Sequence, residues 1–224
     1  MSYNIAIDGP AGAGKSTIAK KVAKELSYIY VDTGAMYRAM ALFFIREGIA
    51  PEETDKINEA CKNADITIAY KDGEQQVMLN GENVNGLIRT EKVGNMASAT
   101  SVNSNVRVKM VELQQQLASK ADVIMDGRDI GTKVLPDATL KVYLTASSRI
   151  RAERRYKELK EKNVACDLDT IEQDIIERDY RDMHRENSPL MQAEDAILVD
   201  SSNMNIEEAA EKIISLFKER TGKE

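Results

Sequence analysis

Short apolar runs along the chain alternate with longer segments whose apolar residues recur at helical spacing. Five runs are almost continuously apolar, which is the pattern of strands buried on both faces of a parallel sheet. They lie at 4–8, 28–32, 123–126, 140–144 and 196–200. The segment after the first run is helical in pattern from about Lys15. This β-α-β order predicts an α/β fold with a parallel sheet covered by helices on both faces.

One section departs from that order. From Ile66 to Tyr70, and again at Val77 and Leu79, apolar and polar residues alternate as they do in strands with a single buried face. Two pairs of turn-forming residues, Asp72-Gly73 and Asn80-Gly81, divide this section before Val84. We predict a small antiparallel sheet of three strands, inserted into the α/β core.

Start signals mark three helices in the second half of the chain. A cap residue followed three positions later by a carboxylate forms a capping box, which satisfies two free N–H groups at a helix start. The predicted caps are Ser147, Asp169 with Glu172, and Asn205 with Glu208. The polar stretch 160–163 lies between the first two helices and fits either a mobile flap or a solvated helix–helix turn.

The composition narrows the class of protein. The 224 residues suffice for one domain with a substantial core, and the formal charge of −6 argues against a nucleic-acid or anionic-membrane partner. No apolar stretch is long enough to span a bilayer, and the opening strand leaves no room for a signal peptide. Cys61 and Cys166 form no C-x-x-C pair, so we expect two inert thiols and a cytoplasmic protein.

The histidine content disfavours a catalytic histidine base and a histidine-rich metal site. His184 is the only histidine, and we interpret it as a surface residue near a helix end. Any anionic ligand has to be bound by individual basic residues in short polar motifs, because the overall charge is negative.

The strongest motif is a phosphate-binding loop, G-x-x-x-x-G-K-S, directly after the first predicted strand. It consists of Gly9, Pro10, Ala11, Gly12, Ala13, Gly14, Lys15, Ser16 and Thr17. Glycines let backbone N–H groups converge on a β-phosphate, while Lys15 reaches the β- and γ-phosphates and Ser16 supplies a hydroxyl to Mg²⁺. The motif predicts ATP and Mg²⁺ at the positive end of the following helix.

Aspartates follow four of the predicted strands. In an open parallel sheet, ligands gather at the carboxyl ends of the strands, so chemistry is expected just after each run. The four are Asp8, Asp32, Asp126 and Asp200. Asp126 has the position of a Walker-B carboxylate, which holds the metal of the nucleotide.

Three arginine-containing clusters point to a second anion. They lie at 32–38, 126–132 and 178–185. Transfer of a phosphoryl group between two anions needs several fixed cations, and the arginine fork binds phosphate bidentately. Taken alone, the third cluster favours a solvated helix face with Arg–Asp pairs over an anion site. A guanine-binding N-K-x-D pattern is absent from the sequence, which disfavours a GTPase.

Together these motifs resemble the bacterial cytidylate (CMP) kinase family, in the same order over nearly the whole chain. The segments are the phosphate-binding loop, D-T-G-A-M-Y-R from Asp32, G-L-I-R-T from Gly86, D-G-R-D-I-G-T from Asp126 and R-D-x-R-D-x-x-R from Arg178. The resemblance implies a single P-loop kinase domain over 1–224 with a five-stranded parallel sheet. It also implies a nucleoside-monophosphate-binding insert at about 63–92, a lid at about 151–170 and a monomer.

The resemblance also implies a role for each matching residue. Those that contact ATP are the loop from Gly9 to Thr17 and, in the lid, Arg154 and Arg155. Those at the acceptor phosphate are Arg38, Arg128 and Arg185; those at the cytosine are Ser98, Arg107 and Asp129; those at the sugar are Arg178 and Asp182. Thr33, where many relatives have serine, and Tyr37 belong to the same substrate site. The catalytic residues are Lys15, Asp126, Arg128 and Arg185, with Ser16 and Asp126 at Mg²⁺.

The expected function is ATP-dependent phosphorylation of CMP, and of dCMP, to the diphosphate. Cytosine presents an amine donor beside two acceptors, which suits a carboxylate and an arginine side by side, whereas uracil presents a carbonyl to Asp129. Two alternatives stay open at this point: a kinase for UMP or AMP, and a nucleotide-gated switch. A switch has no need of a second phosphate site.

Overall fold

A computed structural model describes residues 3–71 and 74–222 of the chain. The predicted turn at Asp72-Gly73 lies outside the described residues. The chain folds into two compact units. The first comprises Met1–Tyr30 with Ala121–Glu224, and the second comprises Val31–Lys120.

The sheet of the first unit has five parallel strands, which are β1 Asn4–Asp8, β2 Ile29–Asp32, β6 Val123–Gly127, β7 Leu140–Thr145 and β8 Ile197–Asp200. Their order in the sheet is β2-β6-β1-β7-β8. All five were predicted, with ends displaced by a single residue at most. The chain passes to the second unit within β2, after Tyr30.

Four helices and a π-helical turn complete the first unit. The helices are α1 Lys15–Leu26, α6 Ser148–Glu161, α7 Leu168–His184 and α8 Ile206–Thr221, and the turn is Ile130–Val134. Helices α1 and α8 pack on the sheet through Ile18, Val22, Ile213 and Phe217, which are almost completely buried. Burial of each such side chain contributes about 1.5–3 kcal/mol, so this layer stabilises the unit by several kcal/mol.

Two of the three predicted caps are confirmed and one is wrong. The Ser147 side chain accepts from the N–H of Ile150, and Asn205 forms a reciprocal capping box with Glu208. Helix α7 begins earlier than predicted, because its cap is Asp167 and not Asp169.

Asp167 is the cap because its carboxylate accepts from both the N–H and the hydroxyl of Thr170, each at 2.9 Å. Asp169 instead lies in the first helical turn and forms an ion pair with Arg149. The polar stretch before this helix is a solvated turn, in which Asn163 adopts a left-handed conformation with φ 56°. Lid motion stays a prediction.

The second unit contains four helices and the predicted antiparallel sheet. The helices are α2 Thr33–Arg46, α3 Thr54–Asn63, α4 Glu91–Thr100 and α5 Ser104–Ala118. The strands are β3 Ile66–Lys71, β4 Glu74–Leu79 and β5 Glu82–Asn83. The last strand begins before Val84, directly after a tight turn in which Asn80 and Gly81 have φ of 50° and 82°.

Other expectations from composition can be compared with the structure. Both cysteines are free thiols, and His184 is the exposed last residue of α7. Among residues 3–71 and 74–222, no helix combines the length and apolar character needed to cross a membrane. The single-domain prediction, with its insert and lid, remains a prediction.

The first test of the fold concerns Gly9, where β1 passes into the phosphate-binding loop. Its φ is 150°, and a Cβ there would overlap the carbonyl oxygen of Leu144 on β7. Because backbone on both sides would have to move, Gly9→Ala should destabilise the first unit by about 3 kcal/mol or more. Urea unfolding followed by circular dichroism measures this loss.

A matched control is Gly86→Ala, since nothing lies within 4 Å of a Cβ at Gly86 and its φ is not positive. This variant should unfold within about 0.5 kcal/mol of the parent chain. Equal stability of the two variants would contradict the close approach at Gly9.

Candidate active site

The phosphate-binding loop runs from the end of β1 to the start of α1. Gly9, Gly12 and Gly14 have φ of 150°, 75° and 85°, which residues with a Cβ rarely adopt. Gly14 is the N-cap of α1, so the positive end of the helix dipole and its free N–H groups are directed at the loop. This geometry suits a bound phosphate.

Lys15 is buried at the start of α1. Its Nζ donates to the carbonyl oxygens of Gly9 and Pro10, both at 2.7 Å. Burial, followed by the positive charge of Arg128, lowers the pKa of Lys15 to about 7. A polyphosphate bound at the loop would place negative charge beside Lys15 and so favour its charged, ammonium form.

Asp126 lies near the end of β6 and is joined to two hydroxyls. Its Oδ2 accepts from the Ser16 hydroxyl at 3.0 Å, and its Oδ1 accepts from Tyr30 at 2.7 Å. Mg²⁺ prefers oxygen ligands and is usually held by one or two side-chain oxygens together with substrate phosphates. The carboxylate and the Ser16 hydroxyl fit that donor set.

Two Arg–Asp pairs join the loop after β6 to the end of α7. Arg128 Nε lies 2.8 Å from Asp182 Oδ2, and Arg185 Nη2 lies 3.7 Å from Asp129 Oδ1. The side chains of Arg185 and Asp129 are only 6% and 7% exposed. Burial acts to raise the pKa of Asp182, but the charge and hydrogen bond of Arg128 outweigh it and hold that pKa below its usual range.

These contacts exclude the solvated-face interpretation of the third cluster. On α7, Asp179 is buried and Arg178 and Asp182 are half-buried, whereas Tyr180 and Arg181 face solvent. One face of the helix therefore presents charged side chains to the interior of the unit.

Asp8 holds the loop that carries Arg128 and Asp129. Its two carboxylate oxygens accept from the N–H groups of Ile130 and Gly131, at 2.8 and 2.7 Å. Burial raises the pKa of Asp8 to about 6, although both hydrogen bonds act to lower it.

The two lid arginines differ in their surroundings. Arg154 donates to the carbonyl oxygen of Ser201 at 2.7 Å, and its guanidinium lies beside Gly14. Arg155 lies on the exposed side of α6 in an ion pair with Glu158. Of these two predicted arginines, Arg154 lies at the phosphate-binding loop and Arg155 does not.

In the second unit, two predicted substrate residues lie in the first turns of α2. Thr33 is the buried first residue of the helix, directly after the cap Asp32. Arg38 donates to the carbonyl oxygen of Ile88 at 3.1 Å. Its guanidinium packs against Gly94, where a Cβ would lie only 2.9 Å from Nη1.

The other three predicted residues of this unit lie on α2, α4 and α5. The Arg107 guanidinium stacks over the Tyr37 ring at 5.6 Å and donates to the carbonyl oxygen of Ser101 at 3.1 Å. Ser98 is half-buried one turn before Ser101, and its own carbonyl accepts from the Ser101 hydroxyl. The structure thus joins Tyr37 to Arg107 directly.

Four residues of the first unit take part in these contacts but were not predicted to belong to the site. They are Asp8, Tyr30, Arg151 and Asp179. Two of them carried a signal, because Asp8 ends a predicted strand and Asp179 lies within the third arginine cluster. Tyr30 and Arg151 had none, since their partners lie 96 and 140 residues away in the sequence.

Comparison with known proteins gives a consistent family. The sequence profile of cytidylate kinases matches residues 5–219. The chain is 52% identical to the cytidylate kinase of Caldicellulosiruptor saccharolyticus over 221 residues, which is 99% of this chain and 98% of that protein. It is 46% identical to the cytidylate kinase of Bacillus subtilis over 219 residues, which is 97% of each.

Solved structures with a similar fold have low sequence identity. The shikimate kinase of Acinetobacter baumannii, in complex with shikimate, has a TM-score of 0.50 and 17% identity, covering 99% of this chain and 96% of that one. An uncharacterized protein from Eubacterium ventriosum has a TM-score of 0.52 and 13% identity, covering 98% and 99%. These likenesses bear on the fold alone.

The contact of Asp8 generates a prediction about pH. Only the ionised carboxylate accepts both loop N–H groups fully, so kcat/KM should rise with pH through about 6, the pKa of Asp8. In Asp8→Asn this acidic limb should disappear, and kcat/KM at pH 7.5 should fall about tenfold through a misplaced loop. Steady-state rates between pH 5 and 8 measure both effects.

Stability should respond in the opposite direction. Because the pKa is raised from its ordinary 3.8 to about 6, the contribution of Asp8 to folding is complete below the lower value and is lost as pH rises through the upper one. The unfolding free energy of the parent chain minus that of Asp8→Asn should therefore fall from pH 4 to pH 6.5. A pH-independent difference would contradict the raised pKa.

Proposed function

The chain belongs to the cytidylate kinase family, and we propose that it transfers the γ-phosphoryl group of ATP to CMP and to dCMP. One observation carries this proposal within the structure. A second set of cations, Arg128 and Arg185, lies in the same unit as the phosphate-binding loop, and their side chains are only 20% and 6% exposed. Arg128 is close enough to lower the pKa of Lys15. Two adjacent sets of fixed cations suit a reaction between two anions.

ATP would bind with its phosphates over the loop from Gly9 to Gly14. Lys15 would exchange its two carbonyl partners for phosphate oxygens, which restores the charge that burial disfavours. The loop glycines already have the required conformations, so little backbone reorganisation is needed at the moment of reaction.

Ser16 and Asp126 would hold Mg²⁺, either directly or through water. The ion supplies charge neutralisation between the β- and γ-phosphates when it is bound. Tyr30 fixes the carboxylate of Asp126 from its other side, which orients it toward Ser16.

CMP would be held by an exchange of partners in the two Arg–Asp pairs. Its phosphate would take Arg128 and Arg185, while Asp182 would accept from the ribose hydroxyl and Asp129 from the cytosine amine. Each aspartate keeps its arginine paired before the substrate arrives, so no isolated charge is buried in either state.

Family resemblance assigns the remaining contacts. In the second unit, Arg38 would bind the acceptor phosphate, and Ser98 and Arg107 the cytosine, with Thr33 and Tyr37 in the same substrate site. In the first unit, Arg178 would contact the sugar, and Arg154 and Arg155 would lie over ATP. We further propose that the protein acts as a cytoplasmic monomer.

The deciding experiment is a coupled assay of ADP release with CMP, dCMP, UMP, AMP or no acceptor. CMP and dCMP should be the preferred acceptors. Equal ADP release with and without acceptor would favour a nucleotide-gated switch, and a preference for UMP or AMP would favour a different nucleotide kinase.

Lys15→Ala tests the proposed role of the loop. The variant loses one preorganised charge that stabilises the transferred phosphoryl group, so turnover should fall by about a hundredfold or more. Circular dichroism serves as the folding control. Near-normal turnover in a folded variant would contradict ATP binding at this loop.

The two Arg–Asp pairs predict different effects on CMP and dCMP. Arg185→Ala should lower kcat/KM for both nucleotides alike, because both carry the same phosphate. The loss corresponds to about 2–5 kcal/mol of transition-state stabilisation. Asp182→Asn should lower kcat/KM for CMP more than for dCMP, since only CMP has a 2′-hydroxyl. The ratio of the two values separates this effect from disturbance of Arg128.

Arg181→Ala is the matched control, because Arg181 lies on the exposed face of the same helix. It should change kcat/KM less than about twofold. If Arg185→Ala and Asp182→Asn also stay within about fivefold, roughly 1 kcal/mol, the acceptor site is wrongly assigned.

A further inference from the structure

Ala11 of the phosphate-binding loop is bound through both of its backbone polar groups to one buried ion pair. Its N–H donates to Asp179 Oδ1 at 3.2 Å, and its carbonyl oxygen accepts from Arg151 Nη1 at 2.8 Å. The same Nη1 lies 2.6 Å from Asp179 Oδ2. All three residues are at least 92% buried. The backbone at this point of the loop is therefore fixed by side chains from distant parts of the chain.

The two side chains come from different helices. Arg151 lies in the first turn of α6, and its Nε also donates to the carbonyl oxygen of Ala146 at 2.9 Å, which fixes the guanidinium. Asp179 lies on the buried face of α7. The loop approaches closely, since a Cβ at Gly12 would lie 3.4 Å from the Cβ of Arg151.

Simple stabilisation does not account well for such a pair. Removing two charges from water costs about as much free energy as their attraction returns, and apolar replacements of buried ion pairs are often neutral or stabilising. What an apolar pair cannot provide is a donor and an acceptor for the backbone of Ala11. The specific contribution of Arg151 and Asp179 is thus the shape of the loop.

A second aspartate of α7, close to Asp179, also holds an arginine of the proposed site. Asp182 follows Asp179 by one helical turn and is paired with Arg128, the arginine we assign to the acceptor phosphate. Helix α7 therefore fixes the phosphate-binding loop through Asp179 and fixes Arg128 through Asp182, one turn later. Displacement of Ala11 would change the position of ATP relative to that arginine.

We propose that Arg151 and Asp179 are positioning residues for ATP, holding the phosphate-binding loop at Ala11 in its binding conformation. This inference rests on the proposed function only in taking ATP as the ligand of the loop. Neither residue is required to touch the nucleotide. Their loss should therefore weaken ATP binding and slow phosphoryl transfer, while CMP binding changes little.

The main test replaces the pair by apolar residues of similar size, Arg151→Met with Asp179→Leu. The midpoint of thermal unfolding should stay within about 5 °C of the parent chain, because the avoided cost of buried charge offsets the loss of the two hydrogen bonds at Ala11. The dissociation constant of Mg-ATP, measured by calorimetry without CMP, should rise about tenfold or more through the lost loop hydrogen bonds. The KM for CMP should change less than about threefold.

Two single variants complete the series. Asp179→Asn keeps an oxygen for the Ala11 N–H but removes the charge opposite Arg151, and Arg151→Lys keeps the charge but has no fork to bind two acceptors at once. Each should raise the dissociation constant of Mg-ATP by less than the double variant does. If the double variant does not fold, Asp179→Asn decides: unchanged ATP affinity in that folded variant overturns the inference.

Arg149→Gln is the matched control for helix pairing. Arg149 joins the same two helices through exposed ion pairs with Asp169 and Glu172, yet it makes none of the hydrogen bonds at Ala11. Its ATP affinity should equal that of the parent chain, which separates positioning of the loop from general α6–α7 packing. An equal loss of ATP affinity in Arg149→Gln would overturn the inference.

The outcomes also separate this inference from the proposed function. A folded double variant that binds Mg-ATP like the parent chain overturns the positioning role, even if the parent chain phosphorylates CMP. A parent chain that does not phosphorylate CMP overturns the proposed function. Weaker ATP binding by the double variant would still support the role of the pair at the loop.

Discussion

Charge buried at the carboxyl ends of the central strands is the constraint on which the first unit is built. Lys15, Asp8 and Asp126 are all nearly inaccessible to water, and a buried charge without partners would destabilise the fold by several kcal/mol. Each is instead satisfied by backbone groups or hydroxyls from the segments around it. The loops of the site are therefore fixed by the same hydrogen bonds that make burial of the charges tolerable.

This constraint explains why the catalytic roles that we propose overlap with structural ones. Asp8 is a strand-terminal residue, yet it orders the loop that carries Arg128 and Asp129. Arg151 and Asp179 lie on helices, yet they fix Ala11. Preorganisation of this kind would let the groups that we propose for the reacting phosphates act without reorganising, and most of the catalytic effect in phosphoryl transfer arises in this way.

Much of the fold follows from local patterns. Runs of apolar residues located all five strands of the parallel sheet, and the alternating pattern located the small antiparallel sheet, because burial on two faces or on one leaves a direct trace in the sequence. The predicted cap at Asp169 was wrong because Asp167 and Asp169 are both residue types that cap helices, and Asp167 accepts from both the N–H and the hydroxyl of Thr170. Such choices depend on geometry finer than residue spacing.

The candidate site likewise has parts that local sequence predicts and parts that it does not. The phosphate-binding loop and Asp126 were predictable, since glycine spacing and a strand-terminal carboxylate have local causes. The pairing of Arg128 with Asp182, and of Arg151 with Ala11, was not, because these partners are 54 and 140 residues apart. Nor could residue types alone show that Arg154 approaches Gly14 while Arg155 faces solvent.

One of the two edge strands of the parallel sheet, β8, has a consequence for association between copies of the chain. An edge strand presents unpaired N–H and C=O groups to which another strand can add, and exposed apolar residues make that addition more favourable. Leu198 in β8 is 55% exposed, but the strand spans only Ile197–Asp200. At its end, Asp200 accepts from the N–H and hydroxyl of Ser202, which turns the backbone out of the extended conformation. An edge strand of four residues offers a strand of another copy too few hydrogen bonds for the copies to polymerise through this edge.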